Sequence, residues 1–121
     1  MKRVLYYFSS FLLVSVLFHS CNKEEDFDET LLYGKWKSGT LFYVYSSNYT
    51  GYTWDESDDI TEEEAKNDFP FKWKLVKSEL QQFHLWIGPD ISKTYIITEL
   101  TATTLKYKDD FNKSYSFSKV R

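Results

Sequence analysis

The chain predicts an all-β domain, a small antiparallel meander barrel with one short helical turn in a connecting loop. Three observations carry that reading. Apolar and polar residues alternate with period two along most of the sequence, which is the pattern of strands with one buried face. The predicted strands follow one another through short links, which favours antiparallel neighbours. Aromatic side chains make up 20% of the chain, enough ring area to build a core in a domain this small.

Taken in order, Leu41-Phe42-Tyr43-Val44-Tyr45 sets Leu41, Tyr43 and Tyr45 on one face. In "FPFKWKLVK", Phe69, Phe71, Trp73 and Leu75 point one way and Lys72 and Lys74 the other. "SELQQFHLWIG" and "SKTYIITEL" read as the next two strands, parted by Gly88-Pro89-Asp90, a turn by its backbone chemistry. The second of these is apolar on both faces, with Tyr95 and Ile97 opposite Ile96. Leu105 and Tyr107 then oppose Thr104, Lys106 and Lys108, and Tyr115 and Phe117 oppose Ser114, Ser116 and Ser118, with Asp109-Asp110-Phe111-Asn112 as the connection. About seven short strands result.

The one helical signal is Asp59–Lys66, where Thr61 and Glu64 have capping-box spacing and the acids suit a helix N-terminus. Pro70 and the alternation after it stop the helix within roughly two turns. Tyr49, Tyr52 and Trp54 fall on a loop between Asn48 and Asp55 in this reading.

Residues 1–20 have the layout of a secretory signal: Lys2 and Arg3, an apolar run from Val4 to Phe18, and the small Ser20 before a cysteine. The run is short of the ~20 apolar residues that a membrane-spanning helix needs. Phe18-His19-Ser20-Cys21 resembles the lipobox of bacterial lipoproteins. That resemblance implies cleavage before Cys21 and lipidation of its sulfur and new amino group, hence attachment to the bacterial outer membrane. The alternative is a free, buried thiol in an ordinary secreted protein, although an unpaired exported cysteine is a liability. Each acyl methylene buried in lipid contributes ~0.8 kcal/mol, so an anchor of several chains is effectively permanent. Lys23-Glu24-Glu25 resembles an export tag that carries lipoproteins to the cell surface, and the acids after it also suit a solvated spacer. The expected organisation is a signal peptide over 1–20, a lipidated acidic tether over 21–30 and a barrel domain over 31–121.

The mature chain carries thirteen basic against eighteen acidic side chains, a net of −5, which argues against nucleic acid as a partner. With Cys21 acylated, no thiol is left for a disulfide, a metal site or nucleophilic catalysis. His84 is the one histidine outside the signal. It is read as sharing a strand face with Gln82 and Trp86 at a pocket mouth, or else as a surface or edge residue. Asp55, Glu56, Asp58, Asp59, Glu62, Glu63 and Glu64 supply carboxylates, but a glycosidase pair needs one member desolvated, and these sit in a polar loop. Asp55, Ser57, Asp59 and Thr61 alternate as in an EF-hand, yet the turn glycine is missing and Lys66 stands where the bidentate glutamate belongs. A solvated loop is the expectation there, with a weak cation site of non-EF-hand type as the alternative, and no metal ligands, cofactor or enzyme activity are assigned.

Gly34-Lys35-Trp36 at the start of an aromatic-rich meander resembles the Gly-x-Trp of lipocalins and the wider calycin group. The succession of "GYTWD", "DDITEEEA", "FKWKLVKSELQQ", "YIITELTATTLKYKDD" and "KSYSFSKV" resembles the small lipocalin-like lipoproteins exported by bacteria. The resemblance implies that Trp36 closes one end of the barrel. It departs from a full lipocalin in length and in lacking a second motif with its arginine, so a shallow or filled barrel is expected rather than a deep cup. Candidate ligand-binding residues are Tyr43, Tyr45, Tyr52, Trp54, His84 and Trp86. Two functions follow. One is a lipid-anchored binding protein for a small apolar or sugar-like ligand; the other is a module that contacts an envelope protein partner, as an inhibitor or accessory subunit, with a filled barrel.

Overall fold

Eight strands run in sequence order around a closed antiparallel barrel, each bonded to the next and the last to the first. The computed structural model describes residues 25–88 and 92–121. The signal, Cys21, the Lys23-Glu24 part of the acidic tag and the Pro89-Asp90 turn lie outside the described residues. The strands are β1 Gly34–Ser38, β2 Leu41–Tyr45, β3 Thr50–Asp55, β4 Pro70–Val76, β5 Glu79–His84, β6 Ser92–Leu100, β7 Thr104–Lys108 and β8 Ser114–Val120. Closure comes from β1 and β8, with Trp36 opposite Lys119.

The extra strand is β3, where the sequence suggests a loop. Gly51, within the Asn48–Asp55 stretch read as a loop, lies inside the β2–β3 ladder opposite Tyr45. A Cβ there would collide with the Val44 carbonyl oxygen and the Phe71 ring. The glycine is present for close backbone approach, not for a turn.

Period two sorts the side chains as expected. Trp36, Tyr43, Tyr45, Phe71, Trp73, Leu80, Tyr95, Ile97, Leu105, Tyr107 and Phe117 form one buried cluster inside the barrel. Ring pairs there meet edge to face, as Tyr43 does with Phe117 at 5.6 Å and Tyr45 with Trp73 at 5.7 Å. Such pairs contribute ~0.5–1.5 kcal/mol each beyond area burial. The interior is therefore filled by its own side chains over most of its length.

A second cluster lies outside the wall. Phe42 and Trp54, on the outer faces of β2 and β3, stack at 4.7 Å, and Ala65 packs with them from a helix α1, Glu62–Asp68. The capping box is present: Thr61 Oγ1 accepts from the Glu64 N–H at 3.2 Å and Glu64 Oε1 accepts from the Thr61 N–H at 3.4 Å. Phe69 belongs to this outer cluster and not to the Phe71–Leu75 face, because the helix ends there and β4 begins at Pro70. The helix is pinned by Glu62, whose two oxygens accept from Lys35 Nζ and the Tyr52 hydroxyl, each at 2.7 Å.

The two ends of the barrel differ. At the base, a 3-10 turn, Glu29–Leu31, leads into β1, and the fully buried Leu32 follows it. Trp36 is buried beside this lead-in, donating its indole N–H to the Leu32 carbonyl at 2.8 Å under the Lys119 ammonium, 4.6 Å from the ring centroid. That ammonium also donates to the Tyr33 carbonyl. Phe27 packs on the same core, so the fold is engaged from Phe27 onward. The opposite end, where β5 exits and β6 enters, is the mouth.

Candidate functional site

The β3–β4 ladder holds for three residue pairs, Thr50 to Tyr52 against Lys72 to Pro70. Above it the two strands part, and the excursion from Glu56 to Phe69 fills the gap only partly. What remains is a cavity of about 200 Å³ at the mouth. Leu41, Tyr43, Thr53, Trp54, Asp55, Asp58, Ile60, Phe69, His84, Trp86 and Lys93 line it. A second hollow of about 300 Å³ lies beside it, lined by Ser92, Lys93, Thr94, Tyr95, Asp109, Asp110, Phe111 and Tyr115. Lys93 is common to both.

His84 is not the surface or edge residue that a lone strand histidine suggests. It is 1% exposed, paired across from Phe71 inside the barrel. Its Nε2–H donates to Gln82 Oε1 at 2.8 Å, and Gln82 Nε2 donates to the Tyr45 hydroxyl at 2.8 Å. This polar thread runs from the cavity into the packed interior and fixes the tautomer, with Nδ1 left as a bare acceptor. Among the described residues, His84 Nδ1 is the one buried side-chain nitrogen or oxygen without a hydrogen-bond partner. Burial, and secondarily the Lys93 charge, push the His84 pKa down to about 4, so the ring is neutral at ordinary pH.

Trp86 does not continue the β5 alternation. The strand ends at His84, and the Ile87 and Gly88 N–H groups turn back onto the His84 carbonyl at 3.1 and 3.3 Å. The turn swings the Trp86 ring to the rim, half-exposed, edge-on to Phe69 at 5.3 Å and to His84 at 6.0 Å. Leu85, Ile87 and Phe111 are also exposed.

Of the six candidate binding residues, Tyr43, Trp54, His84 and Trp86 line the cavity. Tyr45 does not: it is buried deeper, bonded to Gln82. Tyr52 does not either, because β3 is a strand and Tyr52 faces outward, bonded to Glu62 and stacked near Trp54. The same correction dissolves the Tyr49–Trp54 loop, since Tyr49 lies at the base against Trp73. Phe69, Ile60 and Leu41 are apolar lining residues that alternation alone does not bring together.

Asp55, Glu62, Glu63 and Glu64 are engaged by neighbouring side chains or backbone. Asp55 Oδ1 accepts from Thr40 Oγ1 at 2.6 Å and from the Ser57 N–H and hydroxyl at 2.9 and 2.7 Å. These bonds, the one from Thr40 first, hold its carboxyl below the usual range, which is opposite to what a general acid needs. Among the described residues, no group of three or more histidine, cysteine, aspartate or glutamate side chains is placed to hold a metal. No family model, no curated protein and no solved structure matches this chain.

Proposed function

We propose that this is a lipid-anchored, lipocalin-like binding protein of the bacterial outer membrane, exposed at the cell surface, which holds a small apolar or sugar-like ligand at the mouth of its barrel. The observation that carries the reading is the ring-lined mouth cavity with a buried, half-satisfied histidine in its wall. Small-molecule sites are concave and mostly apolar, with few polar groups that fix orientation. An eight-stranded up-and-down barrel suits the lipocalin resemblance, but the fold does not imply the ligand. The anchor rests on Phe18-His19-Ser20-Cys21 alone. Binding rather than catalysis is proposed because the wall offers no nucleophile beside a base and no desolvated acid.

Native mass spectrometry of the protein taken from its own membrane tests the reading. A bound small mass supports it, and Cys21→Ser is expected to release the protein into the soluble fraction. A form of Cys21→Ser that stays on the membrane would sink the anchor. The second reading, a module that binds an envelope protein, is favoured by one observation: Leu85, Trp86, Ile87 and the 91% exposed Phe111 stand out as large apolar side chains near the mouth. Recovery of the protein bare, or with a second chain attached, moves the balance to that reading.

A further inference from the structure

We infer that the rim of the mouth is a docking surface for a cationic amphipathic segment of a partner protein, seated across the start of β6 between Trp86 and Phe111. The inference rests on the second reading above, a module that binds a protein, and adds the partner's chemistry. It stands whether or not the cavity also holds a small ligand.

Three features of the rim carry it. First, large apolar side chains are gathered there and held out. Leu85, Trp86 and Ile87 lie just after β5, and the 91% exposed Phe111 lies between β7 and β8. These two turns flank the start of β6, whose neighbours are β5 and β7. Asp109 Oδ1 accepts from the Phe111 and Lys113 N–H groups, each at 2.9 Å, and Oδ2 accepts from the Tyr115 hydroxyl at 3.0 Å. The Asn112 N–H closes the same turn onto the Asp109 carbonyl at 3.0 Å. A bonded turn thus presents the Phe111 ring to solvent, and an ordered turn loses little freedom on binding. Val76 and Ile96, also exposed, stand singly on strands, which is ordinary for a protein surface.

Second, the rim is acidic. The two hollows that share Lys93 are lined by Asp55, Asp58, Asp109 and Asp110, four carboxylates against that one ammonium. A surface both apolar and negative favours a partner both apolar and positive, and it repels a second copy of itself as well as anionic lipid. Third, the chain enters the fold at the other end. The Phe27 N–H donates to the Lys77 carbonyl, in the β4–β5 turn at the base, at 3.5 Å. Whatever precedes the fold joins it there and leaves the mouth open to a partner.

The test uses the full chain and three short labelled peptides: leucine and lysine in an amphipathic pattern, the same with glutamate for lysine, and the same with serine for leucine. The leucine–lysine peptide is expected to bind at least about tenfold more tightly than either of the others, and to weaken as salt is raised. Phe111→Ser should lower its affinity at least about fivefold, and Asp58→Asn with Asp110→Asn should also weaken it, whereas Val76→Ser at the base should leave it unchanged. Phe111 stands almost wholly in solvent, so its replacement by serine does not threaten the fold. Equal binding of the lysine and glutamate peptides, lost in Phe111→Ser, overturns the inference and leaves a protein-docking rim standing. Attachment to phosphatidylglycerol vesicles that Phe111→Ser abolishes assigns the rim to lipid and overturns it as well. No binding of any peptide, or binding that Phe111→Ser does not move, removes the inference together with the protein-docking reading of the rim.

Discussion

The base and the mouth of this barrel are built from the same residue types and satisfy them differently. At the base, Trp36 has its N–H on Leu32, its face under Lys119 and no exposed surface. Trp73 likewise donates to the Thr50 carbonyl at 2.9 Å. At the mouth, Trp86 stands half in solvent and His84 keeps a buried nitrogen with nothing to receive. The difference teaches where packing is complete and where it is not. The base satisfies its buried polar groups, whereas the mouth keeps one buried nitrogen unpaired and a half-exposed ring.

The largest effect belongs to the base. Trp36→Ala is expected to cost about 4 kcal/mol, within the range for deleting a buried aromatic ring, as read by urea denaturation. A cost near that of a surface substitution would mean the base is not the packed end. Acid comes next and acts at the mouth. His84 titrates at 6.5 in a free chain and at about 4 in the barrel, so between those values the unfolded state binds more protons. Stability is full above about pH 6.5 and falls as pH drops toward 4, by up to about 3 kcal/mol. The Glu62 carboxyl, lowered chiefly by the Lys35 hydrogen bond, also loses its contribution on acidification. Its loss begins only below the ordinary glutamate value of 4.5. Loss of stability above about pH 5 is thus the signature of His84, and in His84→Phe it should vanish.

Gly51→Ala sharpens the comparison from the wall between the two ends. The added methyl meets backbone on one side and Phe71 on the other. A cost of ~1–3 kcal/mol is expected, read as a lowered denaturation midpoint. A neutral result would mean that the β2–β3 ladder does not hold this register.

How much of this was legible in the sequence follows the same division. The barrel core was, because Phe71, Trp73, Tyr107 and Phe117 alternate with lysine or serine and alternation is a local signal. The capping box at Thr61 and Glu64 was legible for the same reason. β3 was not, because the stretch between Asn48 and Asp55 reads as a loop, and the close backbone approach that Gly51 permits is set by a distant strand. Nor was the outer cluster. Phe42 sits on the face that alternation assigns to solvent and Trp54 in a stretch that reads as a loop, and only α1 laid over them buries both. The site is split likewise. His84 and Trp86 are two apart and appear to share a face, yet a turn at the end of β5 sends one to the rim while the other stays inside. The unmet nitrogen depends on Gln82 and Tyr45, which are 37 residues apart, a distance over which periodicity carries no information.

The smallest expected effect is the one that decides what the mouth is for. Trp86 touches Phe69 and His84 edge-on and is otherwise in solvent, so Trp86→Ala should cost no more than about 1 kcal/mol of stability. The same substitution removes an aromatic wall of the cavity. Ligand affinity should therefore drop while the denaturation midpoint scarcely moves, the reverse of the outcome for Trp36→Ala. Destabilisation as large as at Trp36 would make the rim a continuation of the core and erase the contrast between the ends. Unaltered stability together with unaltered affinity for an aromatic probe would place the ligand elsewhere than beside Trp86. A loss of affinity without loss of fold is the result that only a recognition surface produces, because a packing residue cannot surrender its contacts without surrendering stability as well.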